Sequence, residues 1–231
     1  MELRVERNSD VDSWKEVVLI YNSALKQIST KLEILNDEFQ HVHMYNPIEH
    51  IKSRMKTSES IVKKLKRYGY ESTIENMVQY INDIAGIRVI CSFTSDIYEI
   101  ADMIRGQSDI RVIGVKDYIV SPKASGYRSY HMLVTVPVYL SDRIVDTKVE
   151  IQIRTVAMDF WASLEHQLKY KQEVPNQREI VANLTVCAEQ IAAIDEQMCQ
   201  VRRQIERSED LPTEEEILLE KLRKIDIAVG E

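Results

Sequence analysis

The sequence feature that most constrains the fold is a strict alternation of apolar and polar residues at 149–155, V-E-I-Q-I-R-T. Successive side chains of a β-strand point to opposite faces of the sheet, so this period is typical of a strand with one buried face. The buried face would hold Val149, Ile151 and Ile153. The open face would present an acid, an amide and a guanidinium group in one row: Glu150, Gln152 and Arg154.

A second carboxylate precedes another apolar segment. Asp83 lies in D-I-A-G-I-R, shortly before the predicted strand Gly86–Phe93. Two acids delivered by neighbouring strands can bind Mg²⁺, which prefers oxygen ligands and combines one or two carboxylates with the phosphate oxygens of a substrate. We therefore predict a divalent-metal site formed by Asp83 and Glu150. Taken singly, each acid is equally well explained as a turn residue or a solvent-facing strand residue.

The bulk composition narrows the class of protein. The chain has 231 residues, of which 44% are apolar and 29% are charged, as expected for a soluble globular domain with a helical appendage. No run of 18 apolar residues predicts a membrane helix, and the charged N-terminal segment lacks the apolar core of a signal peptide. Cys91, Cys187 and Cys199 have no metal-binding spacing and are interpreted as free thiols in a reducing cytoplasm.

The charge is unevenly distributed along the chain. The net charge is −7, which argues against a general nucleic-acid binder, but the window 52–67 contains seven basic residues and one acid. It follows N-P-I-E at 46–49, where Asn suits a helix N-cap and Pro the first helical position. We therefore predict one basic helix from Asn46 to Gly69. Its basic face is either an anion site or a solvated surface.

The remaining periodicity predicts an α+β domain with a mixed β-sheet flanked by helices. Helices are predicted at 13–36, 73–82, 95–105 and 156–171, and strands at 86–93, 110–118, 128–139 and 145–154. The chain is divided into a domain at 1–171, which includes the N-terminal helices, and a helical region at 172–231 for oligomerisation.

The helical tail carries a heptad pattern of apolar residues. They alternate in steps of four and three: Ile180, Leu184, Cys187, Ile191, Ile194, Met198, Val201 and Ile205. Such a seam needs a partner helix, either from a second subunit or from the first helix of the same chain. A further amphipathic helix is predicted at 213–225, after the break at Pro212.

Five short motifs occur in one order: D-I-A-G-I-R at 83–88, K-D-Y-I at 116–119, S-G-Y-R-S-Y-H at 125–131, V-E-I-Q-I-R-T at 149–155 and F-W-A-S-L-E-H at 160–166. Together with the basic segment before them, they resemble the RelA/SpoT-type (p)ppGpp synthetases, and within these the small single-domain alarmone synthetases. The segments 21–32 and 46–50 are more similar to the RelP-like branch than to the RelQ-like branch. The resemblance covers the chain from Tyr21 to Lys171.

The resemblance implies a nucleotidyltransferase-like fold and a GTP pyrophosphokinase of stringent-response signalling. Such an enzyme transfers the β,γ-pyrophosphate of ATP to the 3′-hydroxyl of GTP or GDP and releases AMP. Mg²⁺ would be its cofactor, bound by Asp83 and Glu150, and Glu150 would also accept the proton of the attacking hydroxyl. A cytoplasmic homotetramer without a hydrolase half is expected, with no membrane partner and with RNA as a less favoured ligand.

The resemblance also assigns residues to the two nucleotides. The ATP site would contain Arg54, Lys56, Lys64, Arg67 and Arg88, with Arg54 and Arg88 flanking the adenine. The GTP or GDP site would contain Lys116, Lys123, Ser125, Tyr127, His131, Gln152 and Ala162. Arg154 and Glu165 would support these groups through ion pairs. Gly114 and Ser125 replace an Arg and an Asn that are frequent in the family, so the preference between GTP and GDP stays open.

Three other functions compete with this one. A catalytically degenerate module that binds an alarmone or RNA is disfavoured because both predicted metal carboxylates are present. A different nucleotidyltransferase is disfavoured because the sequence has no G-S and no D-x-D pair on a predicted strand, which those enzymes commonly use. A purely structural oligomerisation protein would leave the basic segment and the polar strand face without a role.

Overall fold

The computed structural model describes residues 9–170 and 177–206, together with residues 218, 219 and 222. The elements are α1 Ser9–His41, β1 Ile48–Met55, α2 Ser58–Tyr68, α3 Ile74–Tyr80, β2 Ala85–Cys91, α4 Thr94–Gly106, β3 Arg111–Asp117, β4 Tyr130–Tyr139, β5 Ile144–Thr155, α5 Val156–Tyr170 and α6 Gln177–Glu206. The division predicted after residue 171 and nearly all of the helix predicted at 213–225 lie outside the described residues. No helix in the described ranges is long and apolar enough to cross a membrane.

Five strands form one sheet in the order β1-β2-β5-β4-β3. β2 and β5 are parallel, whereas the other neighbouring pairs are antiparallel. The predicted mixed sheet with flanking helices is therefore confirmed. Because β2 and β5 are parallel neighbours and Gly86 pairs with Glu150, β2 begins beside Glu150, and Asp83 lies just before it.

The two faces of the sheet differ because the side chains of each strand alternate. Val149, Ile151 and Ile153 are completely buried, and they pack in one cluster with α1 and α4 side chains such as Ile28 and Ile100. The intervening polar residues of β5 face the opposite side. The helices α1 and α4 thus cover the apolar face and leave the polar face available for a site.

The basic helix predicted from Asn46 to Gly69 is wrong in its first half. Residues Ile48–Met55 form edge strand β1, antiparallel to β2, and the helix α2 begins only at Ser58. The side chain of Asn46 accepts a hydrogen bond from the backbone N–H of Ile48 at 2.9 Å, a local turn rather than a helix start. Pairing with β2 gives the following backbone groups their partners, and this long-range pairing outweighs a local capping pattern.

The tail helix α6 packs chiefly against α5 and α4 rather than against α1. Ala188 and Cys199 are buried on its inner side. Four residues of the predicted heptad seam remain between 46% and 62% exposed: Ile194, Met198, Val201 and Ile205. The first helix is therefore not the partner of this stripe, and a partner helix from a second subunit stays a prediction.

Candidate active site

A row of five polar side chains crosses the open face of the sheet. In the strand register Lys52 is opposite Arg88, Arg88 is opposite Gln152, Gln152 is opposite His131, and His131 is opposite Lys116. Directly opposed residues share a face and have neighbouring Cβ atoms. Four of these five were predicted as nucleotide-binding residues, from the ATP set to the GTP set. Lys52, the fifth, belongs to the basic window 52–67, and no individual role was predicted for it.

A cleft of about 340 Å³ opens over β1, β2 and β5 beside this row. Its lining residues are Lys52, Ser53, Arg54, Asp83, Gly86, Ile87, Arg88, Glu150 and Gln152. The two predicted metal carboxylates and the two arginines predicted for the adenine thus line one cavity. The arginine at 54 reaches the cleft from a strand and not from the predicted helix.

Asp83 is held by two lysines, one directly after β1 and one on α2. Lys56 Nζ lies 2.9 Å from its Oδ2 atom, and Lys64 Nζ, from α2, lies 2.8 Å from its Oδ1 atom. Burial alone would raise the pKa of Asp83, but the hydrogen bonds and charges of Lys64 and Lys56 outweigh it and lower the pKa below its ordinary value. The carboxylate is therefore ionised at neutral pH and concentrates two cations at one side of the cleft.

Lys148 of β5 holds the segment that directly precedes Asp83. Its Nζ atom donates hydrogen bonds to the carbonyl oxygens of Val78 and Gln79 at 3.2 and 2.9 Å and to Asn82 Oδ1 at 3.3 Å. Positive charge at the C-terminal end of a helix, here α3, is favourable. Because Asn82 directly precedes Asp83, this lysine fixes the start of β2 against the strand that carries the second acid.

Glu150 contacts two residues of the predicted GTP site. His131 Nδ1 lies 3.3 Å from its Oε1 atom, and Gln152 Nε2 donates to its Oε2 atom at 2.8 Å. Burial would raise the pKa of Glu150, but His131 and Gln152 outweigh it, and the net pKa is lowered even though the nearby charge of Asp83 acts in the opposite direction. Both acids of the cleft are therefore carboxylates at neutral pH.

Tyr127 lies at the centre of the predicted GTP site. Its hydroxyl is 2.8 Å from His131 Nε2 and accepts a hydrogen bond from Arg154 Nη2 at 2.6 Å. Lys123 Nζ lies 4.7 Å from the centre of the tyrosine ring and 4.6 Å from that of Tyr118. The aromatic ring of Tyr127, the cations Lys123 and Arg154 and the imidazole of His131 form one connected group beside Glu150, which we call the acceptor group.

Asp159 joins the two halves of the site, and sequence reasoning missed it. Its Oδ1 atom accepts a hydrogen bond from Arg154 Nη1 and forms an ion pair with Arg88 Nη1, each at 3.0 Å. It lies in the first turn of α5, where an acid is favoured by the helix N-terminus. The signal in the sequence was its position about one helical turn after Arg154 and Thr155, the end of strand β5. Tyr118, which packs edge-on against the acceptor group, was also missed although it belongs to the K-D-Y-I motif.

The other predicted site residues lie at the margins. Arg67 is exposed on α2, beside the ring of Tyr68, and is not among the residues that line the cleft. Ser125 is half-buried in the loop before β4, and Glu165 is half-buried on α5. Ala162 is buried between α5 and α6 in a small apolar cluster against which Tyr127 packs. The predicted contact of Ala162 with the nucleotide would therefore lie beside Tyr127.

Comparison with known proteins gives one consistent result. The model of the family described as "Region found in RelA / SpoT proteins" matches residues 53–175, more than half of the chain. The chain is 44% identical over 210 residues to GTP pyrophosphokinase YwaC of Bacillus subtilis, a match that covers 89% of this chain and 100% of the relative. It is 32% identical over 200 residues to GTP pyrophosphokinase YjbM of the same organism, covering 87% and 93%.

A solved structure agrees with the sequence matches. Small alarmone synthetase 1 from Bacillus subtilis, bound to its product pppGpp, superposes with a TM-score of 0.78 at 32% identity, covering 84% of this chain and 98% of that one. The mixed sheet, with helices on its apolar face and the basic cleft on its polar face, is thus the fold of a small alarmone synthetase. The chain belongs to the RelA/SpoT family, and the resemblance predicted from its five motifs is confirmed.

Proposed function

We propose that this protein is a Mg²⁺-dependent GTP pyrophosphokinase that transfers the β,γ-pyrophosphate of ATP to the 3′-hydroxyl of GTP or GDP, with AMP as the second product. The activity predicted from the motifs agrees with the names of its two GTP pyrophosphokinase relatives and with a related synthetase that binds pppGpp. The observation that carries the proposal is that Asp83 and Glu150 line one cleft together with Arg54 and Arg88. A degenerate binding module would have no need for two ionised acids among these cations.

Asp83 and Glu150 would hold the metal ion. Within the described ranges, no group of three or more His, Cys, Asp or Glu side chains could hold a metal by itself. Two carboxylates with lowered pKa values suit Mg²⁺, which keeps several waters and shares its remaining positions with substrate phosphates. When bound, the ion supplies positive charge against the phosphate oxygens of ATP.

The donor nucleotide would bind on the side of β1 and β2. Arg54 and Arg88 both line the cleft, and planar guanidinium groups stack on aromatic bases. Lys56 and Lys64, which hold Asp83 in the free protein, would turn towards the phosphates of the arriving nucleotide. This exchange would release the oxygens of Asp83 for the metal ion. Arg67 would contribute one further positive charge from α2.

The acceptor nucleotide would bind on the side of β4 and the loop before it. Guanine would stack on Tyr127, a contact that contributes about 1–3 kcal/mol per base. Gln152 would hydrogen-bond to the base, and the cations of this side would contact the acceptor phosphates: Lys116, Lys123 and His131. Glu150 would take the proton of the 3′-hydroxyl. Because its pKa is lowered, this group would act through its position and its ionised state rather than through high basicity.

We further propose that the protein works in the cytoplasm, where its nucleotide substrates are found, as a homo-oligomer and, by family resemblance, a tetramer. The exposed stripe of α6 is accompanied by exposed apolar residues on α5, among them Phe160, Leu164 and Leu168. Apolar stripes on neighbouring helices are typical of surfaces that are covered in an assembly. Light scattering of the purified protein tests this, and a monomer would contradict the oligomer without affecting the proposed reaction.

The decisive experiment is chromatography of reactions that contain the protein, ATP and Mg²⁺, with GTP or GDP. We expect AMP and a 3′-pyrophosphorylated guanosine nucleotide in equal amounts, and little AMP without an acceptor or with excess chelator. A folded protein that binds both nucleotides but forms no AMP would contradict the proposal and favour the binding module. AMP that appears without any guanosine nucleotide would indicate ATP hydrolysis instead.

A further inference from the structure

The loop before β4 packs directly on helix α6 through a glycine. Gly126 has a φ of +84°, a left-handed conformation in which a side chain is strained. A Cβ atom built on Gly126 would lie only 2.5 Å from Ala188 Cβ, and 3.5 Å from the Cα atom of Thr185. The loop backbone therefore approaches α6 as closely as a residue without a side chain allows.

Helix α6 is held in place on both sides of this contact. Three hydrogen bonds anchor it to α5, β5 and α4: Trp161 Nε1 to Leu184 O at 2.9 Å, Thr155 Oγ1 to Asp195 Oδ2 at 2.6 Å, and Arg202 Nη1 to Asp96 Oδ1 at 2.7 Å. Asp96 is completely buried, so its ion pair leaves α6 little freedom to slide. The position of Ala188 is therefore set by the rest of the fold and not by the loop.

The loop transmits the position of Gly126 to the acceptor group. The N–H of Gly126 donates to Lys123 O at 2.8 Å, and the N–H of Lys123 donates to Tyr127 O at 3.2 Å, which closes a tight turn. Tyr127 then contacts His131 and Arg154 through its hydroxyl. A displacement of the glycine would move the tyrosine ring and the Lys123 ammonium group together.

We propose that Ala188 of α6 is a positioning residue of the acceptor site. Its methyl group packs against the backbone of Gly126, and a larger side chain at this position displaces Lys123 and Tyr127. The proposal rests on the proposed function for the identity of the acceptor as a guanosine nucleotide. The residues proposed for the donor, Arg54, Arg88 and Asp83, line a cleft to which α6 contributes no residue. The effect should therefore fall mainly on the acceptor nucleotide.

The first test compares Ala188→Leu with Ala193→Leu. Ala193 is an exposed residue of the same helix and serves as the matched control. For Ala188→Leu we expect the KM for GTP or GDP, and the Kd measured by calorimetry, to rise about 10-fold or more, because small displacements of positioned groups are costly. The KM for ATP should stay within about two-fold of the wild-type value, as for the control. Equal acceptor affinity in both variants would overturn the proposal.

A second test does not depend on a large side chain being tolerated. Gly126→Ala introduces the Cβ atom that meets Ala188, and Ala188→Gly removes the atom it meets. The remaining neighbours, Thr185 Cα at 3.5 Å and Thr185 O at 3.7 Å, are at ordinary contact distances. The double variant should therefore bind the acceptor more tightly than Gly126→Ala alone. If the two substitutions act independently on acceptor affinity, the contact does not position the loop.

Assays of the wild-type protein distinguish a failure of the proposed function from a failure of the role proposed for Ala188. If it forms no AMP and binds no guanosine nucleotide, the proposed function fails. If it is active but Ala188→Leu has the same acceptor KM as Ala193→Leu, only the role of Ala188 fails. Thermal unfolding of each variant identifies any loss of acceptor binding that arises from a loss of the folded state.

Discussion

The donor and acceptor halves of the proposed active site are stabilised in different ways. On the donor side, Asp83 is held by direct ion pairs with Lys56 and Lys64. On the acceptor side, Glu150 is held by an imidazole and an amide, and the imidazole is hydrogen-bonded to Tyr127. The donor half thus contains two ammonium groups, which would contact the phosphates of ATP in the proposed reaction. The acceptor half holds the Tyr127 ring and the Glu150 carboxylate in one hydrogen-bonded group.

The two halves also differ in where their support comes from. The donor half is built from β1, β2 and the short helices between them, which are close in sequence. The acceptor half rests on α6 through Ala188, far along the chain. We infer that donor binding depends on local charge, whereas acceptor binding depends on tertiary packing. Substitutions that change one without the other measure this difference.

The largest effect is expected for Glu150→Gln, which removes the charge of the acid between the two halves. The glutamine is nearly isosteric and keeps a partner for Gln152 and His131, so the fold should remain. Loss of a proton acceptor costs about 10²–10⁴-fold in rate, and we expect the upper part of this range because a metal ligand is lost as well. Product formation by chromatography measures it. Activity within ten-fold of wild type would contradict the role of this residue as base.

A smaller loss is expected for Asp83→Asn, about 10²-fold in kcat, since one charged group that acts on the phosphates is removed. Acceptor affinity measured without ATP should be unchanged, because the contacts of Asp83 all lie on the donor side. A change in acceptor Kd as large as the change in kcat would contradict the separation of the two halves.

The lowered pKa of Asp83 predicts that its contribution to the stability of the fold depends on pH. The folded pKa of Asp83 is lowered, so the unfolded state binds the proton first as the pH falls. Its contribution to stability is therefore present above the ordinary aspartate pKa of about 3.9 and is lost as the pH falls from there through the lower folded pKa. Wild type should unfold at a higher temperature than Asp83→Asn at pH 7, and this difference should shrink towards pH 3.

Local patterns explain why much of the fold could be predicted. The alternation at 149–155 defined the buried and open faces of β5, and the adjacency of β2 and β5 brings Asp83 and Glu150 to one cleft. The helix start predicted at Asn46 was wrong because a capping preference is weak compared with the seven residue pairs that join β1 to β2. The family, the mixed sheet and the pyrophosphokinase activity were therefore predictable. The basic helix predicted from Asn46 to Gly69 was wrong in its first half, which forms strand β1.

Long-range contacts explain what the sequence did not reveal. Asp159 of helix α5 forms an ion pair with Arg88 of strand β2, and no spacing in the sequence connects them. The contact between Gly126 and Ala188 joins a loop to a helix that the heptad pattern had described only as an oligomerisation element. The roles of the individual nucleotide-binding residues and of Mg²⁺ remain predictions for the experiments proposed above.

A moderate effect on both substrates is expected for Asp159→Asn. This acid is the common partner of Arg88 and Arg154, and hydrogen bonds to charged groups contribute about 1.5–3 kcal/mol each, less where solvent reaches them. We expect the KM values for ATP and for the acceptor to rise together, each about ten-fold. A matched control is Asp142→Asn, whose acid is exposed and pairs with Arg143 outside the cleft. An increase in only one KM would show that the two halves are not linked here.

The smallest effect is expected for Lys148→Met, which keeps the aliphatic stem but removes the hydrogen bonds to the end of α3 and to Asn82. These bonds are exposed to solvent, so we expect only about a three-fold rise in the Mg²⁺ concentration for half-maximal rate. Lys148→Arg should restore most of the loss, since it can donate to the same carbonyl groups. If the shift appeared in the acceptor KM while the Mg²⁺ dependence stayed at the wild-type value, Lys148 would belong to the acceptor half, and the boundary between the halves would have to be moved across β5.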